Sequence, residues 1–193
     1  MNVLVIDASA RNDGLTARMS EAAGAGARDT GADVTQVFLQ ELKIERCRMC
    51  DPNGWGDCRS KGSCVIDDDF AGLVTKLRSA DRFVFATPVY FGDLSESAKA
   101  FTDRLRRIST CPDTKAFLGN LPTVCIAAAG GSGGGTPSCM AAMEKVLTTP
   151  GCFVVDLVPV AKRNESHKAE VLRIAGRTLA GPAPDSWPAR SSH

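Results

Sequence analysis

The sequence predicts an α/β protein built on a doubly wound, five-stranded parallel sheet with helices on both faces. Three observations predict it. Short apolar runs alternate with amphipathic or alanine-rich stretches, an order that implies parallel strands joined by right-handed crossovers. Unusual loops follow the first, third and fourth runs, where ligands of such sheets gather. The 193 residues, 44% hydrophobic and 23% charged, suffice for one substantial core and not for two.

Each element has its own signal. Val3, Leu4, Val5 and Ile6 form an apolar run bounded by Asp7, as expected of a buried parallel strand. Residues 7–14 make a polar loop, and residues 15–28 an Ala-rich helix closed by Gly31. A second strand covers residues 34–39. Residues 41–69 are irregular and hold four cysteines and Trp55, with five acidic residues between Cys50 and Phe70. Phe70, Leu73, Val74 and Leu77 then recur at helical spacing, and the run Asp67, Asp68, Asp69 favours that helix's start. A third strand, 83–86, leads into the loop 87–95. Ala98, Phe101, Leu105 and Ile108 form the apolar stripe of the next helix, with Lys99, Arg104 and Arg106 outside it. A fourth strand, 124–128, runs into Gly130-Gly131-Ser132-Gly133-Gly134-Gly135. Thr136 as N-cap and Pro137 at the first position then open a helix to about residue 147. A fifth strand spans 153–160 and a final helix 165–179, giving five helices in all. The expected unit is residues 1–180 with a cysteine-rich insertion at 41–69. The Pro- and Ser-rich tail, 181–193, is expected to be mobile.

Composition narrows the function. Lys+Arg 23 against Asp+Glu 22 leaves a formal charge of +1, which offers no footprint for nucleic acid or an acidic membrane. No signal peptide or transmembrane pattern is visible, so a cytoplasmic protein is expected. In that reducing compartment the eight cysteines suit metal or redox chemistry better than a disulfide framework.

The first loop places Ser9, Arg11, Gly14, Leu15 and Thr16 at a helix N-terminus, where free N–H groups and positive partial charge suit a phosphate. Hydroxyls and a guanidinium add donors. An ordinary capped turn has the same residues. The loop fits neither G-x-x-x-x-G-K-[ST] nor G-x-G-x-x-G, so nucleoside triphosphate chemistry is not indicated. The third loop, with Pro88, Val89, Tyr90, Phe91 and Gly92, offers two aromatics to a flat ring system, although core aromatics would read alike. The glycines of the fourth loop, after Ala129, let backbone approach a ring edge closely, or form a plain connection.

Together these loops resemble the NADPH-dependent FMN reductase family of the flavodoxin-like superfamily, over residues 3–179. The resemblance rests on Ser9-x-Arg11 with Gly14 and Thr16, on Thr87-Pro88-Val89-Tyr90-Phe91-Gly92, and on Lys99-Ala100-Phe101-x-Asp103-Arg104. It implies FMN, with Ser9, Arg11 and Thr16 on the phosphate and Pro88, Val89, Tyr90 and Phe91 along the ribityl chain and ring. Gly130, Gly131 and Ser132 would close around the ring. Lys99, Asp103 and Arg104 are read as helix surface or subunit contacts. The resemblance also implies NAD(P)H as co-substrate and a homodimer or homotetramer.

Cys47-x2-Cys50-x7-Cys58-x5-Cys64 packs four thiols into eighteen residues punctuated by Gly54, Gly56 and Gly62. Such thiols can converge on one centre, as iron–sulfur or zinc, or remain free or redox-active. The motif looks like that of iron–sulfur flavoproteins, a branch of the same family with a [4Fe-4S] cluster beside FMN. There the second spacing is usually two residues; here it is seven. Cys125 and Cys152 read as core residues and Cys111 as a loop residue. Cys139 reads as a packed thiol, or as one activated by its helix start, and His167 as solvent-facing.

The reading is an FMN-dependent NAD(P)H oxidoreductase that reduces a small-molecule acceptor such as a quinone, a free flavin or another organic compound, or a nearby cluster. The alternatives are an iron–sulfur flavoprotein fed by a ferredoxin-like partner, and a colourless, zinc-stabilised module. No residue is an evident general acid or base for the acceptor.

Overall fold

The computed structural model describes residues 1–119 and 121–182. Most of the expected mobile tail, residues 183–193, lies outside them. Five strands form one sheet: β1 (Asn2–Asp7), β2 (Asp33–Phe38), β3 (Arg82–Pro88), β4 (Pro122–Ala129) and β5 (Phe153–Ala161). All four neighbouring pairs are parallel, in the order β2-β1-β3-β4-β5. That is the flavodoxin-like order, and the sequence expectation holds.

Burial on both faces explains the unbroken apolar strands. On one face, Leu4, Ile6, Phe83 and Phe85 pack under α3 (Phe70–Arg78), α4 (Glu96–Ile108) and α6 (Thr136–Thr148). On the other, Val3, Val5, Val84 and Ile126 pack under α1 (Leu15–Arg28) and α7 (Glu165–Ala180). The period-two alternation of strand side chains feeds both layers.

Two short helices join the expected five: α2 (Asp57–Ser60), inside the cysteine-rich insertion, and α5 (Pro112–Leu118). Cys111, expected in a loop, is the buried N-cap of α5. Strand β3 runs on through Thr87 and Pro88, where hydrogen bonding to β4 continues beyond the apolar run. Gly135, not Thr136, is the N-cap of α6; Thr136 is its first residue, and its hydroxyl donates to the Gly133 carbonyl at 2.7 Å.

The chain leaves β1 for β2 on one side and returns to β3 on the other. The topological switch point therefore lies at the carboxyl ends of β1 and β3. The loops 8–14 and 89–95 flank it.

Candidate functional site

Asp7, the last residue of β1, is fully buried and fixes the first loop. Its Oδ1 accepts the Ser9 N–H at 2.7 Å, and its Oδ2 accepts the Ser20 hydroxyl at 2.5 Å, tying the loop to α1. The Ser9 hydroxyl donates to the Arg11 carbonyl at 3.0 Å, and the Gly14 N–H to the same carbonyl at 3.2 Å. Gly14 is the N-cap of α1, with no side-chain cap and no acidic residue in the first turn. The N–H groups of Leu15 and Thr16 thus belong to a helix start that no side chain caps, the arrangement an anion requires. Arg11 is exposed and gives both Nε and Nη2 to Asp13 at 2.9 Å. That hydrogen bond and charge raise the arginine's pKa and lower the aspartate's.

The loop after β3 is joined to the first. The Ala8 N–H donates to the Ala86 carbonyl at 2.8 Å, and Ser95 and Ser97 hydroxyls donate to the Ala8 carbonyl at 3.2 and 3.3 Å. Tyr90 and Asp93 exchange two backbone hydrogen bonds of 2.9 Å around a turn whose central residues, Phe91 and Gly92, have φ of 51° and 80°. Two left-handed residues in succession define a type I′ turn, and phenylalanine is a costly choice for one of them. The turn holds the Phe91 ring entirely in solvent, at 110% relative exposure, with Tyr90 beside it at 40%. An exposed, strained aromatic at a sheet's carboxyl edge suits stacking against a flat ligand.

The glycine loop completes the rim. A side chain at Gly135 would stand 2.9 Å from the Gly92 Cα and 3.1 Å from Val89 Cγ1, so the third and fourth loops meet only because Gly135 is glycine. Val89 donates its N–H to the Ala128 carbonyl at 2.9 Å. Ala129 ends β4, while Gly130, Gly131 and Ser132 are exposed, with open space where a Cβ would stand on either glycine. The structure thus gathers the flavin-site residues expected from sequence around one edge of the sheet.

The second feature lies along α4. Cys47, Cys50, Cys58 and Cys64 all line one cavity of about 20 Å³, together with Arg48, Arg104 and Arg107. The long second spacing is folded back on itself. The Gly54 N–H donates to the Asp51 carbonyl at 2.7 Å in a turn that needs Gly54's φ of 78°, and Gly56 then packs against Cys50. Arg107 donates to the Gly54 carbonyl and stacks 4.8 Å from the Trp55 ring centroid, with Arg59 5.5 Å from it. All eight cysteines are free thiols. Among the described residues, no three of His, Cys, Asp and Glu are placed to hold one metal ion. The four thiols share a cavity without meeting at a point.

Three residues carry roles that the sequence reading missed. Arg104, expected on the surface, is 1% exposed, and its partner Asp68 is 0% exposed. Its position was legible, because residues 101, 104, 105 and 108 share one helical stripe. Asp68, read as charge at a helix start, instead accepts both Arg104 terminal nitrogens, at 2.6 and 2.9 Å. It also accepts the N–H groups of Glu45 and Phe70. Burial opposes its charge, but these bonds outweigh burial and hold its pKa below the usual range. Asp7 had no sequence signal beyond ending a strand. Cys139 is a packed thiol, fully buried, its pKa pushed up to about 11 by burial and by the charge of Asp93. His167 is exposed, as expected.

The sequence pattern of the NADPH-dependent FMN reductase family matches residues 1–165. The chain belongs to that family. An iron–sulfur flavoprotein of Methanosarcina thermophila is 36% identical over 78 residues, 40% of this chain and 38% of that protein. Another, of Archaeoglobus fulgidus, is 30% identical over 119 residues, 62% of this chain and 52% of that protein. The chain thus spans about half or less of these relatives' length. A solved NAD(P)H:quinone oxidoreductase from Methanothermobacter marburgensis superposes with a TM-score of 0.69 at 16% identity, covering 96% of this chain and 99% of that one. That likeness concerns the fold alone. No helix among the described residues is long and apolar enough to cross a membrane.

Proposed function

We propose that this family member is an FMN-dependent oxidoreductase, taking electrons from NAD(P)H for a small-molecule acceptor, with an iron–sulfur cluster on Cys47, Cys50, Cys58 and Cys64. The observation that carries the flavin reading is the convergence of three loops over the switch point beside the uncapped start of α1. When bound, FMN supplies the redox chemistry; the chain binds, orients and shields it. Ser9, Thr16 and the first-turn N–H groups would hold the phosphate, and Arg11 would turn from Asp13 or share it. Pro88, Val89, Tyr90, Phe91 and Gly92 would flank the ring, with Ala129, Gly130, Gly131 and Ser132 at its edge.

The cluster fits by its donors: four thiols on one cavity, where Arg107 adds positive charge while Arg48 and Arg104 are already paired with Glu45 and Asp68. The four thiols do not meet at one point, so seating a cluster would require this cavity of about 20 Å³ to open. The curated relatives named iron–sulfur flavoproteins support the same reading. Arg104 lies nine residues beyond Ser95, about 13 Å along α4 at 1.5 Å per residue, so one helix joins the ring loop to the cavity. This proximity also favours the second reading, an electron-transfer protein fed by a ferredoxin-like partner. We further propose a cytoplasmic homodimer or homotetramer, on the family resemblance and the free thiols.

The test is anaerobic purification with absorption spectroscopy, flavin, iron and zinc analysis, and light scattering. The expected preparation is brown, with FMN, about four irons per chain and a dimeric or tetrameric mass, and Cys50→Ser loses the iron. A colourless, flavin-free protein refutes the proposal; flavin without iron, whether or not zinc is present, refutes only the cluster. Reduction by a ferredoxin-like donor but not by NAD(P)H selects the second reading. Arg11→Glu is expected to weaken FMN binding at least about tenfold, because it sets a like charge beside the phosphate. Unchanged flavin affinity in folded Arg11→Glu places the phosphate elsewhere.

A further inference from the structure

We infer that Arg104 is a positioning residue for the group held by the four cysteines, its Nε–H donating to sulfur at the inner wall of their cavity. The inference rests on the cluster reading above.

Arg104 has three guanidinium nitrogens, and two are committed. Nη1 donates to Asp68 at 2.6 Å and to the Glu45 carbonyl at 3.1 Å, and Nη2 donates to Asp68 at 2.9 Å. This two-point grip fixes the plane of the group, which a lysine could not match. The Phe70 ring lies 4.2 Å from the guanidinium carbon and closes one side against water. The third nitrogen, Nε, is buried without an acceptor at full hydrogen-bonding geometry, the one such side-chain nitrogen or oxygen among the described residues, and the Cys64 thiol is the sulfur that interacts with this guanidinium. Buried donors are rarely left unpaired, and one that is calls for a ligand or a functional reason.

The surroundings supply the reason. Arg104 lines the same cavity as all four cysteines and lies in contact with Cys64. Asp68, which holds it, follows Cys64 by four residues, so the clamp that orients the arginine also anchors the last cysteine's strand of loop. A pure clamp would need only the two terminal nitrogens. The buried Nε–H, which the grip on Asp68 leaves without an acceptor, matches a sulfur acceptor on the Cys64 side of the guanidinium. Hydrogen bonds to cluster sulfurs and nearby positive charge favour the reduced, more negative form, so Arg104 would raise the cluster's reduction potential.

The experiment is an anaerobic redox titration of the intact protein, with iron analysis and circular dichroism, on wild type, Arg104→Lys and Arg104→Met combined with Asp68→Asn. The double variant removes both buried charges together, so neither is left unpaired. At a fixed potential near the midpoint, its ratio of reduced to oxidised cluster is expected to fall about tenfold, or 59 mV for one electron. If the folded double variant loses its iron, which a structural clamp would also cause, the midpoint of Arg104→Lys decides the inference. Arg104→Lys keeps the charge but loses the fixed Nε–H, and a fall of about threefold is expected; it decides the matter alone if the double variant does not fold. A folded, iron-loaded variant with the wild-type midpoint overturns the inference and leaves Arg104 a structural clamp. Absence of iron from the wild type overturns the cluster reading and this inference together, and the iron analysis tells the two failures apart.

Discussion

Replacing Asp68 by alanine is expected to cost about 3–5 kcal/mol of folding stability, the usual consequence of stripping one partner from a buried ion pair. Asp68 and Arg104 are shielded from water almost completely, and four donors converge on the one carboxylate. Alanine would leave a buried cation and two backbone N–H groups without acceptors. The insertion would lose its strongest tie to α4 and keep the Arg104 bond to the Glu45 carbonyl and the Arg107 contacts with Gly54 and Trp55. For a chain of this length the thermal midpoint should drop by roughly 10 °C. The pH dependence has a definite sign. The folded pKa of Asp68 lies below its unfolded value, so its contribution is complete above about pH 4 and fades as pH falls below it. The gap between wild type and Asp68→Ala should therefore narrow in acid. A loss under 1 kcal/mol at pH 7 in urea denaturation would show that water reaches the pair.

The second large effect is at the crossing of α1 and α7. A Cβ on Gly176 would stand 2.0 Å from the Ala23 carbonyl oxygen, and one on Gly26 would stand 2.0 Å from the Arg173 carbonyl oxygen. The two helices touch backbone to backbone through these glycines. Gly176→Val is expected to cost about 3 kcal/mol, at the upper end for overpacking, because backbone cannot rotate aside as a side chain can. It should weaken flavin binding as well, since α1 carries the proposed phosphate site at its start. Gly72 in α3 is the control: nothing lies within 4 Å of its Cβ position. Gly72→Ala should stabilise by up to about 1 kcal/mol through helix propensity. If Gly176→Val is neutral in thermal denaturation, the helices can separate freely and the backbone contact does not hold α1.

The surface ion pairs promise much less. Arg18 with Glu165 and Arg173 with Asp29 bridge the same two helices at 2.6 and 2.7 Å, but water reaches both partners of each pair. Such pairs contribute about 0–1 kcal/mol and weaken with salt.

Much of this protein is local, and what is local was legible. Apolar runs such as residues 3–6 announce strands because both faces of a parallel sheet are buried, whatever the neighbours. Helix α1 begins and ends where the sequence places it, at residues 15 and 28. The loops after the first, third and fourth strands were visible as departures from that pattern, and the family resemblance tied them to one ligand. Local signals do not carry strand order, and the switch point follows from strand order. Nor do they carry the partner of a residue. Arg104 finds Asp68 thirty-six residues away, and only that pairing turns a surface-type residue into a buried one. Gly135 shows no preference of its own until Gly92 packs so close that a Cβ on Gly135 would stand 2.9 Å from the Gly92 Cα. The seven-residue spacing between Cys50 and Cys58 departs from the family's usual two, yet leaves room for a turn that returns the chain. Tertiary structure brought the two to one cavity because Arg107 and Trp55 pin the extra turn against α4. The sequence determined which segments are strands, helices and loops, since backbone propensity and hydrophobic period act within a few residues. The tertiary structure decided which buried charge meets which, because burial makes a polar group depend on whatever the folded chain sets beside it.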